Sequence, residues 1–285
     1  MNIIEIIKKQ IFKTNIPHLQ TNPGIGDIIN CYVYGSELFN RFEKVRIKVD
    51  YATLYHYRNN NQYSPSLHNF TESLAKRVFQ DSRFELTDES LGTGSLDTHD
   101  YPKLLDVEFK PKDLSFILDK EFVKPYEKYV VLNVKIREYD RSLNDQYISS
   151  LIAYLNSFDG KVILMGDRSI DYNKNTEYNS YKHLVYSIYY QIIHQLDKNK
   201  LIDLTQEHLM HEPDINKFLY EYNLVKHADE VIQIGFSGSY LLSMGLNKNV
   251  KVICNTDNNG STKFVYFAQL YLPGKNIIKT YKELL

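Results

Sequence analysis

The sequence lacks tryptophan, holds only two cysteines and carries almost no net charge. Among its 285 residues, 34 Lys and Arg face 35 Asp and Glu, which gives a formal net charge of −1. A balanced charge argues against a bulk nucleic-acid-binding surface, so we expect no nucleic acid partner. Cys31 and Cys254 match neither a disulfide framework nor the spacing of a metal knuckle. This favours a reducing compartment, and we expect a cytoplasmic protein.

Long apolar runs are also missing. No stretch is long enough to span a bilayer, and the N-terminal MNIIEIIKKQIFKTN lacks the apolar core of a secretory signal. Ile3, Ile6, Ile7 and Ile11 share one face of a predicted amphipathic helix. We expect this helix to pack on the body of the protein, and peripheral membrane contact is the alternative interpretation.

Several sequence motifs of known chemistry do not occur. The chain has no GxxxxGK[ST] P-loop, no GxSxG hydrolase elbow and no HExxH zinc motif. The strand–GxGxxG–helix motif is missing too, which counts against NAD. His56, His68 and His99 are isolated and lack metal-ligand spacing, so we expect neither a metal nor another cofactor.

Apolar periodicity predicts alternating strands and helices, most regularly from about residue 123. Before that point we predict strands at 45–49, 84–86 and 104–109, a weak strand at 18–21, and helices at 28–42 and 67–79. After it we predict strands at 129–138, 161–167, 201–205, 230–234 and 250–253, and helices at 143–155, 181–196, 214–227 and 240–246. Such alternation indicates a parallel sheet with helices on both faces, which binds ligands at the carboxyl ends of its strands.

A small-residue turn follows the predicted strand at 230–234. Gly235, Ser237, Gly238 and Ser239 occupy it, and an apolar helix begins directly afterwards. Free backbone N–H groups at a helix start suit a phosphate or diphosphate. The alternative is an ordinary turn, with Ser237 or Ser239 as the N-cap of the helix.

Further polar residues lie at the carboxyl ends of other predicted strands and are expected at the same edge of the sheet. They are Lys135 and Arg137, Gly166 and Asp167, and the loop near Thr205. The basic side chains could neutralise negative charge that develops on a diphosphate leaving group.

A second glycine turn, NPGIGD, lies near the N-terminus. Gly24 and Gly26 precede Asp27 at the start of a predicted helix. One interpretation is a functional carboxylate at the mouth of a cleft between domains. The other is an acid that merely compensates the helix dipole.

Together these elements resemble the GT-B glycosyltransferases, and within them the heptosyltransferase-like group. Gly24-Ile25-Gly26-Asp27 is similar to the family's Gly-x-Gly-Asp loop, and VVLNVKIRE is similar to the strand with basic residues that opens its second domain. Phe236-Ser237-Gly238-Ser239 stands where the family has an Asp-Thr-Gly type loop. The aspartate of that loop is absent, and the family's following histidine is replaced in the region of 241–243. GT-B fucosyltransferases share a related first loop.

The resemblance implies an α/β fold of two Rossmann-like domains facing across a cleft. Residues 1–124 would form the acceptor-side domain, and residues 125–285 would bind a nucleotide-sugar donor. The activity would be an inverting, metal-independent transfer of a hexosyl or deoxyhexosyl group to a glycan hydroxyl. Asp27 would be the general base, and Gly24 and Gly26 would form an acceptor or phosphate loop. A nucleotide-sugar epimerase and a non-catalytic sugar-nucleotide or glycan-binding protein are the alternatives.

Overall fold

The computed structural model divides the chain into two compact units. It describes residues 3–52, 65–90, 101–108, 110–134, 145–166, 188–205, 214–234, 239–253, 277–278 and 283. Unit 1 comprises Met1–Lys112 with Pro213–Ile215, and unit 2 comprises Asp113–Glu212 with Asn216–Leu285. The domain boundary predicted between residues 124 and 125 stays a prediction. The predicted cleft between the domains stays a prediction as well.

Unit 1 contains a three-stranded parallel sheet with helices. Its helices are α1 (Ile3–Ile11), α2 (Ile25–Glu37), α3 (Pro65–Val78) and α4 (Tyr101–Leu105), and its strands are β1 (His18–Thr21), β2 (Val45–Val49) and β3 (Phe84–Leu86). The strands lie in the order β1-β2-β3 and pair in parallel. The strand predicted at 18–21 is confirmed although it has only four residues, because all but its first residue are buried.

The strand predicted at 104–109 is wrong. Tyr101, Leu104 and Leu105 are buried on the short helix α4. Their spacing of i, i+3 and i+4 is helical, and starting the prediction at Leu104 concealed it. Asp106 then adopts a φ of 52°, a left-handed conformation that aspartate tolerates and that does not continue a helix.

The helix predicted at the N-terminus is present as α1, but its predicted apolar face is only partly buried. Ile11 is fully buried, whereas Ile6, predicted on the same face, is 38% exposed. Peripheral membrane contact through this helix stays a prediction. Among the described residues, no helix combines the length and the apolar character that crossing a bilayer requires.

Unit 2 contains a six-stranded parallel sheet, which confirms the α/β fold class. Its strands are β4 (Tyr129–Val134), β5 (Lys161–Gly166), β6 (Leu201–Asp203), β7 (Glu230–Ile234), β8 (Val250–Ile253) and β9 (Ile277–Ile278). Its helices are α5 (Asp145–Ser157), α6 (helical over the described residues 188–195), α7 (Ile215–His227) and α8 (Ser239–Leu246). The first residue of α7, Ile215, is counted with unit 1.

The strand order in unit 2 is that of a doubly wound Rossmann sheet. The spatial order is β6-β5-β4-β7-β8-β9, and every pairing is parallel. Counted within the unit, this is the order 3-2-1-4-5-6. The order reverses between β4 and β7, so their carboxyl ends form the topological switch point at which such sheets bind ligands.

Alternate residues of β4 face different layers of unit 2. Val130, Leu132 and Val134 belong to a buried core with apolar residues of α5 and α6. Tyr129, Val131 and Asn133 therefore lie on the other face of the sheet. The Tyr129 hydroxyl donates to the Leu224 carbonyl oxygen at 2.9 Å, which shows that α7 covers that face. Burial of both faces explains why β4 is an almost continuous apolar run.

Candidate functional site

The switch point of unit 2 lies between Val134 and Ile234, the last residues of β4 and β7. Their Cα atoms are register partners in the sheet. Lys135 and Gly235 follow these two residues directly in the chain. The predicted donor-binding residues that fall outside the described part of the chain are Lys135, Arg137, Asp167, Gly235, Ser237 and Gly238. Two segments that were predicted to bind the donor therefore follow adjacent strands, at the edge of the sheet where this strand order predicts a ligand.

Ser239 is the first residue of α8, five residues after the end of β7. This confirms the predicted strand and the predicted helix, and residues 235–238 between them lie outside the described part of the chain. α8 is apolar and closely packed, with Tyr240, Leu241 and Leu242 almost fully buried. A contact between Ser239 and a donor stays a prediction.

Gly166 ends β5 next to the switch point, and the structure gives it a conformational role. Its φ of +129° lies in a region that side chains rarely adopt, and an added Cβ would overlap the Tyr189 hydroxyl and the Val134 carbonyl oxygen. The Tyr189 hydroxyl donates to that carbonyl at 2.8 Å. A glycine is therefore required for α6 to bond the end of β4, whether or not Gly166 also contacts a donor.

Two buried amides at the switch point were missed by the sequence analysis. Asn133 and Gln233 are register partners, each one residue before the end of its strand. Asn133 is 1% exposed and Gln233 is fully buried. Neither Nδ2 nor Oδ1 of Asn133 has a hydrogen-bond partner among the described residues. The available signal was a polar residue inside the apolar run VVLNV.

The segment that leads to Thr205 is held by hydrogen bonds to Asp203, the last residue of β6. The Asp203 carboxylate accepts from the Thr205 backbone N–H at 2.9 Å and also from the Thr205 hydroxyl. Thr205 itself is fully buried. These bonds close a local turn after β6, which is the third strand from the switch point on that side of the sheet.

The glycine turn of unit 1 joins β1 to α2. Gly24 is the N-cap of α2 with an extended backbone, and no side chain caps it. Gly26 is buried. Asp27 is the third helical residue, and a Cβ on Gly24 would lie only 2.6 Å from the Asp27 Oδ2 atom. The carboxylate thus folds back over the N-cap, as acids at this position of a capping box do.

Cys31 lies one turn beyond Asp27 and is not a nucleophile. Burial raises the pKa of the Cys31 thiol to about 12, against a smaller lowering from a hydrogen bond with Tyr101. Burial also raises the pKa of Tyr101 well above its ordinary value. The Tyr101 hydroxyl donates to the Gln20 carbonyl oxygen at 3.3 Å. Both side chains therefore stay neutral and fasten α2 and α4 to β1.

Within the described ranges, no group of three or more His, Cys, Asp or Glu residues is arranged to hold a metal ion. The predicted independence from metals stays a prediction.

The chain is similar to known proteins in structure at low sequence identity. Neither a protein-family model nor a curated protein matches the sequence. Among solved structures, the chain is similar to the bacterial iron-containing dodecameric glycosyltransferase TibC from enterotoxigenic E. coli H10407, at 13% sequence identity and a TM-score of 0.44. The match covers 84% of this chain and 58% of that enzyme, so this chain spans well under two thirds of its length. A likeness at this level does not define a function.

Proposed function

We propose that the protein is a glycosyltransferase that transfers a sugar from a nucleotide-diphosphate sugar to a glycan hydroxyl. Unit 2 would bind the donor. The observation that carries the proposal is the parallel strand order of unit 2, with its switch point between β4 and β7. The basic residues and the small-residue turn identified in the sequence follow these two strands directly. Since one fold hosts many activities, these residues, more than the fold, support the proposal.

The proposed chemistry is departure of a nucleoside diphosphate from the anomeric carbon. The diphosphate gains negative charge as the glycosidic bond breaks, and preorganised donors lower the barrier by meeting that charge. The N-terminus of α8 and the side chains of Lys135 and Arg137 would supply them. Gly235, Ser237, Gly238 and Ser239 would approach the phosphates, and Gly166 and Asp167 would lie beside them. These groups would stabilise the leaving diphosphate without a metal ion.

Asp27 is the proposed general base for the acceptor hydroxyl, and Gly24 and Gly26 would let the acceptor approach closely. Its carboxylate is half-buried and so remains partly accessible. Attack from the face opposite the leaving group would invert the anomeric carbon. The position of the carboxylate over Gly24 supports the competing interpretation, in which Asp27 only stabilises α2.

The first experiment measures donor binding. The melting temperature of the protein is recorded with UDP, GDP, ADP, CMP and dTDP, and with sugar conjugates of each. A ligand at 100 times its dissociation constant stabilises the folded state by about 2.7 kcal/mol. We expect one nucleotide to raise the melting temperature by several degrees. No shift with any of them at millimolar concentration contradicts the proposal.

The second experiment separates the three enzymatic and binding interpretations. Consumption of the stabilising nucleotide sugar is followed with and without glycan acceptors. A transferase consumes the donor and releases the nucleoside diphosphate only when a suitable acceptor is present. An epimerase converts the sugar without acceptor, and a binding protein shows affinity without turnover. Repeating the assay with EDTA tests metal independence.

A further inference from the structure

The buried amide of Asn133 is unusual in the core of unit 2. It lies on the central strand β4, one residue before the strand end, and both its polar atoms lack a hydrogen-bond partner in the described part of the chain. Leaving buried polar groups unbonded costs stability, so such a group in a native protein requires an explanation, and a functional role is one. Asparagine here disrupts an otherwise apolar strand, and a valine or leucine would pack there without that cost.

The position of Asn133 connects it with the proposed donor site. Gln233, its register partner on β7, is a second buried amide at the same level of the sheet. Both lie about one residue, roughly 3.3 Å, from the carboxyl ends of the strands that flank the switch point. Asn133 shares the face covered by α7, as its i−4 neighbour Tyr129 shows.

The chemistry of the side chain indicates which group it would bind. A phosphate only accepts hydrogen bonds, so it would bond Nδ2 and place negative charge beside the Oδ1 oxygen. A hydroxyl group donates and accepts, and it can bond both atoms of one amide. Asn133 therefore suits a hydroxyl of the ribose or of the transferred sugar better than the diphosphate.

We propose that Asn133 is a donor-binding residue that hydrogen-bonds a hydroxyl group of the nucleotide sugar at the switch point of unit 2. This inference rests on the proposed function, because it needs a nucleotide ligand there. In this proposal Asn133 would recognise the nucleoside or the sugar, whereas the turn and the basic residues would hold the phosphates.

The test is Asn133→Leu, which keeps the branched shape of the side chain and removes both polar atoms. Replacing an unbonded buried amide by an apolar group of similar shape is neutral or stabilising. We expect the melting temperature of the free protein to stay the same or rise. Affinity for the nucleotide sugar that stabilises the wild type should fall about tenfold, as the loss of two neutral hydrogen bonds implies. Affinity for inorganic diphosphate should stay unchanged. Titration calorimetry measures these affinities, and comparison of the nucleoside diphosphate with its sugar conjugate tells a ribose hydroxyl from a sugar hydroxyl.

Asn247→Leu is the matched control. Asn247 is 7% exposed, and its Nδ2 donates to the carbonyl oxygens of Val225 and Ala228 at 2.8 and 2.9 Å. This substitution should lower the melting temperature and leave nucleotide affinity unaltered.

Three results would overturn the inference. The first is a melting temperature of Asn133→Leu several degrees below that of the wild type, and the second is an affinity for the nucleotide sugar within twofold of the wild type. The third is an equal loss of affinity for inorganic diphosphate. If the wild type binds none of the nucleotides, the proposed function falls together with this inference. If it binds one and Asn133→Leu binds it equally well, only the inference falls.

Discussion

Replacement of Gly166 by alanine tests the packing at the end of β5. The backbone at Gly166 has a φ of +129°, and the new methyl group would overlap the Tyr189 hydroxyl and the Val134 carbonyl oxygen. A non-glycine residue in such a conformation costs about 1–3 kcal/mol. Overpacking costs about 1–3 kcal/mol more. Since about 2–4 °C correspond to 1 kcal/mol in domains of this size, we expect the melting temperature to fall by about 5–15 °C.

Tyr189→Phe separates the two parts of this cost. Alone, it removes the 2.8 Å hydrogen bond to Val134, which is worth about 0.5–1.5 kcal/mol. In the double variant the added methyl group no longer meets a hydroxyl, so the effect of Gly166→Ala should be smaller there than in the wild type. Urea unfolding of the four proteins gives this coupling energy. A Gly166→Ala protein that melts within about 2 °C of the wild type, the shift expected from less than 1 kcal/mol, would refute the reasoning about this glycine.

Three further predictions concern charged groups. Arg137→Ala should weaken nucleotide affinity by about one to two decades, because a charged hydrogen bond is lost. Lys198→Ala, at an exposed site, is the control. Equal nucleotide affinity of the two variants contradicts a role for Arg137. Asp27→Asn should lower turnover roughly 10²–10⁴-fold with donor affinity intact, whereas normal turnover with a small loss of melting temperature identifies a helix-stabilising acid. Burial alone would raise the pKa of Glu37, but hydrogen bonds from Lys112 and Lys110 outweigh it and hold the pKa below its ordinary value. The ion pairs of this 7%-exposed carboxylate therefore stabilise the fold at pH values above the pKa that Glu37 has in the unfolded chain. They are lost as the pH falls through the lower pKa that Glu37 has in the folded protein. The free energy of unfolding, measured by urea titration from about pH 6 to about pH 3, should fall less steeply in Glu37→Gln than in the wild type. It should fall as steeply as in the wild type in Glu72→Gln, whose exposed pair contributes little.

Most strands were predictable because each contains a short apolar run with clear limits in the sequence. The predicted ranges of β2, β3 and β8 agree with the structure. β9 was not found, since its two residues, Ile277 and Ile278, become a strand only by pairing with Val252 and Ile253. Nothing local distinguishes such a segment from a loop, and its conformation is set by the neighbouring strand.

The parallel sheet of unit 2 was predictable from its alternating strands and helices, and with it the edge at which the segments after the strands begin. The prediction that these segments bind a donor stays a prediction. The order of the strands was not predictable, because apolar runs such as those of β4 and β7 carry no signal of which strand pairs with which. Asn133 and Gln233 became a pair only when the register placed them side by side.

The adjacency of β4 and β7 has a consequence for synthesis of the chain on the ribosome. The two strands are joined across a long interval: Tyr129 N–H bonds the Asp229 carboxylate at 2.9 Å over a separation of 100 residues. When β4 emerges, both of its neighbours in the sheet, β5 and β7, are still unmade. After β5 has paired with it, its other edge stays unpaired until β7 is synthesised. Contacts this distant in sequence slow folding and expose aggregation-prone surface. A nascent chain stalled before β7 should consequently be a substrate for chaperones, and the switch point should be the last part of the sheet's centre to form.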